Sequence, residues 1–372
     1  MEELSISKCN TMLIEVPLKG TYRTSHGDVS LHKSVILILE TIDGLIGIGQ
    51  ADPIPKYSAE TAEEIYVVIK KYLCPLLIGE SPFNIPLIME RINDIFPDPI
   101  HMESKAIINM ALYDLLGKII KEPIYKILGG MYREEIPVVG WVGREKPDEM
   151  AKNAIKKVEN GYKAIKVKIS NSYDDIDAIA KIRDAIGYNI ELRIDANESL
   201  LPINFLKKLE KYEPKWIEQP APRRKIDYLT HIKREINIPI LVDESISDLY
   251  SLLYVINNHA ADYIKLKVLK QGGLDNVKKF IKLCESEGIK CVIGHGFDMN
   301  FSASAELQLI ASCKLTQIEY INEVGGPFDK MKDDIVKYPL DFDKGSFKVP
   351  NKPGLGLILD ENKLYKYKID LL

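Results

Sequence analysis

The sequence has no long apolar run, no excess of positive charge and no paired-cysteine motif. Its most apolar stretch, from Ser34 to Gly49, is interrupted by Glu40 and Asp43, which argues against a membrane-spanning helix. The first residues, MEELSISKCN, are acidic where a secretory signal would be basic. The formal net charge of −4 gives no electrostatic reason to expect nucleic acid or an anionic membrane as a partner.

The cysteines are few and scattered. None of the five forms a CxxC pair or a ligand-like cluster: Cys9, Cys74, Cys284, Cys291 and Cys313. We therefore expect reduced, mostly buried thiols and a cytoplasmic location.

A chain of 372 residues is long enough for two domains. Residues 1–130 open with β-rich segments, Lys33–Glu40 and Leu45–Gln50, joined at Asp43-Gly44, and Pro75–Gly79 reads as a connection. Helical spacing over Glu103–Ile120 completes an α+β pattern. Residues 131–325 alternate short apolar strands with amphipathic helices, which predicts a parallel α/β barrel.

Eight strands are predicted for this barrel. They are Pro137–Val142, Ala164–Ile169, Ile190–Asp195, Lys215–Glu218, Pro239–Asp243, Tyr263–Lys267, Lys290–Gly294 and Gln317–Glu323.

Five charged residues stand at the C-terminal ends of consecutive predicted strands, at spacings of 23 to 27 residues: Lys168, Asp195, Glu218, Asp243 and Lys267. One β/α unit has about that length, so we expect these side chains to converge at the catalytic rim of the barrel. A charged residue at one strand end is usually just solvated, but five in register with the repeat indicate a site.

Three carboxylates without cysteine or histidine form a hard-oxygen ligand set that suits Mg²⁺. Asp195, Glu218 and Asp243 would leave coordination positions for water and for a substrate carboxylate. The cation would stabilise the charge that appears when a proton leaves the neighbouring carbon.

A lysine base must lose its proton near neutral pH, and Lys166 offers a means. Lys166 and Lys168 lie two apart on one strand and so point the same way. At ~6–7 Å and an effective dielectric of ~20, two like charges repel by ~2.5 kcal/mol, nearly two pKa units. Alone, however, this alternation could be a solvated face.

Lys267 would face Lys168 across the substrate. Two bases on opposite faces permit racemisation or epimerisation, whereas one base and one supporting cation permit other outcomes, and the sequence leaves both open. Lys265 forms a second Lys-x-Lys with Lys267, and we select Lys267 because it stands where the strand should end.

These motifs together resemble the muconate-lactonizing branch of the enolase superfamily. The resemblance rests on KVK, RIDANE, WIEQP, VDES and KVLKQGG, with DGLIGIGQA, AIINMALYDLLGK, ILGG and KPGLGL as flanking matches across nearly the whole chain.

The resemblance implies a modified (β/α)7β TIM barrel capped by the N-terminal domain together with the C-terminal segment, residues 326–372. It implies that Asp195, Glu218 and Asp243 bind Mg²⁺ and that Lys168 and Lys267 are the acid/base pair. Lys166 would lower the pKa of Lys168.

The resemblance further implies that Asn197 and Glu244 orient the metal ligands. Two loops, near Lys19–Asp28 and Asp52–Ala59, would set specificity. Candidate substrate contacts on these loops are Tyr22, Arg23, His26 and Tyr57.

Departures from family patterns bear on the reaction. The mandelate-racemase branch uses a His–Asp dyad, and Lys267 occupies the strand that would supply its Asp, so we disfavour that branch. His295 is unusual for the lactonizing branch and could bind substrate or act as an extra acid. Dipeptide epimerases carry Asp-x-Asp on the eighth strand, whereas Glu323-Val-Gly-Gly-Pro is closer to cycloisomerases, so we expect Glu323 to face the substrate and a dipeptide to be disfavoured.

We therefore predict a Mg²⁺-dependent cycloisomerase or racemase/epimerase that transfers a proton at the carbon α to a metal-bound carboxylate, through an enolate. A dehydratase of acid sugars or an o-succinylbenzoate synthase-type lyase is the alternative. A non-catalytic barrel would have lost a carboxylate or a lysine, and none is missing. We expect a small-molecule carboxylate substrate and a homo-oligomer.

Overall fold

The computed structural model describes residues 4–24, 27–55 and 57–371. Its strands are β1 Ile6–Thr24, β2 Gly27–Thr41, β3 Ile46–Ala51, β4 Glu135–Pro137, β5 Gly140–Val142, β6 Ala164–Lys168, β7 Glu191–Asp195, β8 Trp216–Glu218, β9 Ile240–Val242, β10 Tyr263–Leu266, β11 Lys290–Ile293, β12 Phe342–Asp343, β13 Ser346–Lys348 and β14 Lys368–Ile369. Its helices are α1 Ala62–Val68, α2 Cys74–Leu77, α3 Ile85–Ile95, α4 Met102–Ile119, α5 Ile124–Ile127, α6 Pro147–Glu159, α7 Tyr173–Ile186, α8 Ile203–Leu209, α9 Ile226–Glu235, α10 Leu249–Asn257, α11 Leu274–Ser286, α12 Asn300–Ala311 and α13 Glu361–Tyr367.

The N-terminal part is an antiparallel sheet covered by helices. Its strand order is β14-β1-β2-β3, and the nearly fully buried helix α4 packs on β3. Gly49 permits this packing, because a Cβ there would lie 2.0 Å from the carbonyl oxygen of Ile107. The long strand β1 was not predicted, and the expected connection at Pro75–Gly79 is wrong in part, since helix α2 ends at Leu77.

The barrel is a parallel sheet in the order β11-β10-β9-β8-β7-β6-β5. The predicted eighth strand is not continuous, but the segment from Gln317 closes the ring through parallel bridges from Ile318 to Cys291 and from Asn322 to Val138. Gly294 allows this closure, because a Cβ there would meet the backbone of Glu323 at 2.1 Å. The modified (β/α)7β barrel is thus confirmed, although the predicted first strand, Pro137–Val142, divides into β4 and β5.

The C-terminal segment joins both parts of the molecule. Strand β14 pairs with β1 in the capping sheet, whereas β12 and β13 form a small sheet with β4 beside the barrel. Only part of the segment therefore completes the capping domain. The boundaries at 130/131 and 325/326 stay predictions.

The cysteines differ from the expectation. A disulfide joins Cys9 on β1 to Cys74 on α2, with 5.6 Å between their Cα atoms, so the prediction of five reduced thiols is wrong for this pair. The two cysteines are 65 residues apart in the sequence, so no local motif predicts the disulfide. The other three cysteines are free and buried.

Among the described residues, no single helix has the length and apolarity needed to cross a membrane. A π-helical turn at Ile69–Leu73 joins α1 and α2 into Ala62–Leu77, and a 3-10 turn at Pro82–Asn84 extends α3 to Pro82–Ile95. These two helices meet the criteria of length and composition only when they are taken together across a 115° bend.

Two buried carboxylates fix the loop 52–59 above the barrel. Asp52 accepts hydrogen bonds from Ser34 and, across the domain boundary, from Ser302 and the N–H of Met299 at the start of α12. At the other end of the loop, Glu103 accepts the N–H of Ala59 at 3.0 Å. This loop therefore has defined anchors on both sides.

Glu103 makes stability depend on pH. Burial, together with the negative charge of Glu60, raises its pKa to about 8. Because the folded state then holds a proton that the unfolded chain releases near pH ~4.3, this group's contribution is present at low pH and is lost as the pH rises towards 8.

We therefore expect Glu103→Gln to gain stability relative to the wild type between pH 5 and pH 9, by on the order of 1–3 kcal/mol at the upper end. Thermal unfolding across this range measures the effect. The matched control is Glu90→Gln, at an exposed glutamate on α3. Parallel stability curves for Glu103→Gln and wild type would contradict the assignment.

Candidate active site

Consecutive barrel strands bring the predicted site residues to one rim. Lys168, Asp195 and Glu218 are the last residues of β6, β7 and β8, and the strand register places them side by side. Asp243 directly follows β9 and Lys267 directly follows β10. The two lysines therefore flank a row of three carboxylates, with β7, β8 and β9 between them.

Local backbone geometry orients two of the carboxylates. After Asp195 the chain turns through Asn197, which has a positive φ of 39° and donates its N–H to Asp195 Oδ1 at 2.9 Å. After Glu218, Gln219 has a φ of 42°, and its side-chain oxygen accepts the N–H of Asp243 at 3.1 Å. Such left-handed residues are uncommon outside glycine and concentrate at functional sites. Gln219 was missed by sequence reasoning, although WIEQP contains it.

Lys166 lies among the carboxylates rather than beside solvent. Its Nζ is 2.6 Å from Glu218 Oε2, 2.8 Å from Glu323 Oε2 and 3.1 Å from Asp195 Oδ2. Burial would lower the pKa of Lys166, but these three carboxylates outweigh it and raise the pKa well above its usual range. Lys166 is therefore a positive charge held in place by three carboxylates.

The carboxylates of the row differ in their electrostatics. Burial, together with the charge of Asp195, raises the pKa of Glu218 to about 8. Burial also opposes ionisation of Asp195, but Lys166 and Lys168 hold the pKa of Asp195 below its usual range. The site thus keeps its negative charge only by pairing it with ammonium groups.

Asp243 is held by two lysines, one of which was not predicted. Lys267 Nζ lies 2.8 Å from Asp243 Oδ2, and Lys270 Nζ lies 2.5 Å from Asp243 Oδ1 and 2.6 Å from its carbonyl oxygen. Burial lowers the pKa of Lys267, but Asp243 raises it further, so the pKa lies above the ordinary value. Lys270 follows Lys267 by one turn, a spacing that could have drawn attention to it.

A chain of polar contacts joins Lys168 to Glu244. Lys168 Nζ donates to Asn197 Oδ1 at 2.5 Å, and Asn197 Nδ2 donates to Glu244 Oε1 at 3.1 Å. The other oxygen, Glu244 Oε2, is buried and has no hydrogen-bond partner. Burial and the charge of Asp243 raise the pKa of Glu244 to about 7.

These residues fit a divalent cation. Asp195, Glu218 and Asp243 are each about 2% exposed or less, and they supply hard oxygen donors beside the unpartnered oxygen of Glu244. In the described part of the chain these carboxylates are paired with lysines. No group of three or more acidic, histidine or cysteine side chains there forms a preformed metal site. A cation would therefore exchange places with ammonium groups.

Glu323 lies below the carboxylate row and is fully buried. It contacts Lys166, Lys265 and Arg193, with 3.3 Å from its Oε1 to the Arg193 guanidinium. Sequence reasoning set Lys265 aside and did not consider Arg193. Both lie two residues before a predicted site residue on the same strand, so strand alternation could have identified them.

His295 lies after β11 with its side chain 6% exposed. Its Nδ1 is 3.7 Å from Asp298 Oδ1 and has no hydrogen-bond partner. Burial, aided by the positive charge of Lys267, lowers the pKa of His295 to about 3. The imidazole is therefore neutral near pH 7 and is suited to hydrogen bonding rather than to carrying charge.

The loop candidates are placed unevenly. The Tyr57 ring lies 5.4 Å from Lys168 Nζ, which puts this loop over Lys168. Tyr22 and Arg23 were expected in a loop, but they lie in β1, which forms a hairpin with β2. Their side chains, and His26 altogether, lie outside the described part of the chain.

Comparison with known proteins identifies the family. Residues 8–129 match the mandelate racemase / muconate lactonizing enzyme N-terminal domain, and residues 149–363 match the enolase C-terminal domain-like model. The chain therefore belongs to the mandelate racemase/muconate lactonizing enzyme family of the enolase superfamily.

Relatives extend over nearly the whole chain. N-succinyl-L-Arg/Lys racemase of Bacillus cereus is 30% identical over 98% of both chains, and its crystal structure matches with a TM-score of 0.91. Chloromuconate cycloisomerase of Cupriavidus pinatubonensis is 28% identical over 96% of both chains. The dipeptide epimerase of Cytophaga hutchinsonii, solved with Mg and D-Ala-L-Val, is 28% identical over 98% of this chain and 99% of its own, with a TM-score of 0.90.

These relatives confirm the muconate-lactonizing branch and show that the protein is an isomerase. Because they are racemases, epimerases and cycloisomerases, the lyase alternative is not favoured. The metal in the epimerase complexes also implies a divalent cation here.

A bound cation should stabilise the fold, because it binds the native state alone. At a concentration 100 times its Kd the gain is ~2.7 kcal/mol, and we expect a rise in Tm on the order of a few degrees with Mg²⁺. Glu218→Gln should abolish this difference. Asp262→Asn is the control, because Asp262 forms a partly exposed ion pair with Lys233 in the same barrel, and this variant should retain the rise in Tm with Mg²⁺. An unchanged Mg²⁺ response in Glu218→Gln would contradict the site.

Proposed function

We propose that this protein is a Mg²⁺-dependent racemase or epimerase that moves the hydrogen on the carbon next to the carboxylate of an N-acylated amino acid. The observation that supports this most is the position of Lys168 and Lys267 at opposite ends of the carboxylate row. One amine would remove the hydrogen from one face of the carbon, and the other would deliver a proton to the opposite face.

The remaining residues have supporting tasks in this proposal. Asp195, Glu218 and Asp243 would hold Mg²⁺, with Asn197 and Glu244 beside them to set their orientation. When bound, the cation supplies Lewis-acid stabilisation of the negative charge that develops on the substrate carboxylate. Lys166 keeps a positive charge on the same strand as Lys168.

An N-acylated substrate is preferred to one with a free amine. A free ammonium group near the eighth-strand segment would need an available acid, and Glu323 is already engaged by Lys166, Lys265 and Arg193. We therefore assign Glu323 to these cations rather than to the substrate contact expected from sequence. The 30% identical relative, which is named as an N-succinyl amino-acid racemase, supports the same substrate class.

We propose that Tyr57, His295 and Arg23 contact the distal part of the substrate. Tyr57 lies over Lys168. Neutral His295 has a ring nitrogen without a hydrogen-bond partner, and the charge of Lys267 is close enough to lower the pKa of His295. The assignment of Arg23 rests on its place in the predicted specificity loop.

A cycloisomerase is the second candidate. It needs one lysine as acid/base while the other serves as a cation, and Glu323-Val324-Gly325-Gly326-Pro327 resembles the cycloisomerase sequence. The chloromuconate cycloisomerases among the relatives favour it as well.

The test is hydrogen exchange in D₂O with Mg²⁺, followed by NMR and by optical rotation. The panel contains each enantiomer of several N-succinyl and N-acetyl amino acids, dipeptides, muconate and acid sugars. We expect loss of the α-proton signal and racemisation with N-acyl amino acids. Lys168→Met and Lys267→Met should each lower the rate of racemisation by ~10²–10⁴-fold. In each variant one enantiomer should still exchange its α-hydrogen.

The matched control is Lys233→Met, which removes an amine from the outer side of the barrel. Turnover of muconate without exchange of N-acyl amino acids would favour the cycloisomerase. Absence of exchange and turnover with the whole panel would favour a non-catalytic binding protein and contradict the proposal.

A cytoplasmic location and a homo-oligomeric state also stay proposals. Light scattering after gel filtration tests the second directly.

A further inference from the structure

Four charged side chains, one of them Glu218 of the carboxylate row, form an enclosed group: Lys166, Lys265, Glu218 and Glu323. Each is at most 5% exposed. Both ammonium groups contact both carboxylates. Lys166 Nζ lies 2.6 Å from Glu218 Oε2 and 2.8 Å from Glu323 Oε2, while Lys265 Nζ lies 3.3 Å from Glu218 Oε1 and also donates to Glu323 Oε2.

Only one carboxylate of this group is assigned to the cation. If Glu218 turns its oxygens to Mg²⁺, both lysines lose that partner, and Asp195, the other acid on Lys166, is also a proposed ligand. Glu323 is then the carboxylate that both lysines still share. Without it, two buried ammonium groups would have to remain on Glu218 and compete with the cation.

Glu323 is held in place from the side away from the rim. Arg193 reaches its Oε1 at 3.3 Å and is itself fixed by the carbonyl of Ile321 at 3.0 Å and by stacking on Trp216 at 4.1 Å. Burial would raise the pKa of Glu323, but Lys166, Lys265 and Arg193 lower it below the ordinary range. This carboxylate is therefore an anion held among three cations.

We propose that Lys265 and Glu323 form a positioning pair that sets the affinity of the metal site: Glu323 retains the lysines when Glu218 is given to the cation, and Lys265 is the tethered competitor. The inference rests on the proposed metal site but not on the reaction or its substrate. Neither residue is assigned contact with the reacting atoms.

Isothermal titration of Mg²⁺ into the substrate-free protein tests the pair. We expect Glu323→Gln to weaken Mg²⁺ binding at least tenfold, because both lysines then depend on Glu218. Lys265→Met should tighten binding about threefold, and the double variant should bind no more weakly than wild type, whereas simple addition of the two single effects would make it at least about threefold weaker. This non-additivity is the signature of direct coupling.

The matched control is the double variant Lys233→Met/Asp262→Asn, which removes an ion pair of 2.8 Å from the outer side of the same barrel. It should leave the Kd for Mg²⁺ unchanged. Melting temperatures are recorded in parallel, because a merely structural pair would change Tm and leave Kd within twofold.

The outcomes separate the two proposals. If wild type binds Mg²⁺ and the single variants keep its Kd within twofold, or the effects simply add, the positioning pair is wrong while the metal site stands. If wild type does not bind Mg²⁺, the proposed function itself fails. If Glu323→Gln does not fold, Lys265→Met and the double variant still test the proposal, because Lys265→Met must bind Mg²⁺ more tightly than the double variant does.

Discussion

The structure depends on pairing charges that it has removed from water. The inside of the barrel rim holds carboxylates on β7, β8 and after β9, and ammonium groups on β6 and around β10, each within contact of an opposite charge. Isolated buried charges cost far more than a fold of marginal stability can tolerate, so each of these groups requires its partner. The charged side chains of the rim are thereby held in place by contacts within the protein.

The same pairing makes metal binding an exchange rather than an addition. Lys166, Lys267 and Lys270 occupy the oxygens that a cation would use, so the cation must offer each carboxylate more than an ammonium group does. A divalent ion can do this because it carries twice the charge and accepts several oxygens at once. Of these lysines, Lys267 is the one proposed to face the substrate, so a cation that takes Asp243 from Lys267 would couple metal binding to the readiness of this base.

The sequence predicted the rim because the rim is encoded locally. Lys166-Val-Lys168 and Arg-Ile-Asp195 follow strand alternation, and the β/α repeat fixes the order of the strands around the barrel. Distances across the barrel depend on its closure and are not encoded this way. For that reason Glu323 was expected to contact the substrate, although cations from three strands hold it. For the same reason, sequence reasoning missed the contact of Lys270 with Asp243 and the Cys9–Cys74 disulfide.

The two ends of the substrate are therefore determined by different kinds of information. In the proposed function the reacting end would lie against strand termini whose positions follow from a regular repeat, so the reaction class can be inferred from residue spacing. In the proposed function the distal end would lie against the loop 52–59, which Asp52 anchors to the start of α12 and Glu103 anchors at Ala59, and against His295 near the closing segment. The contacts of Asp52 and Glu103 join segments more than 40 residues apart without any repeat, so residue spacing does not reveal the groups around the proposed distal end.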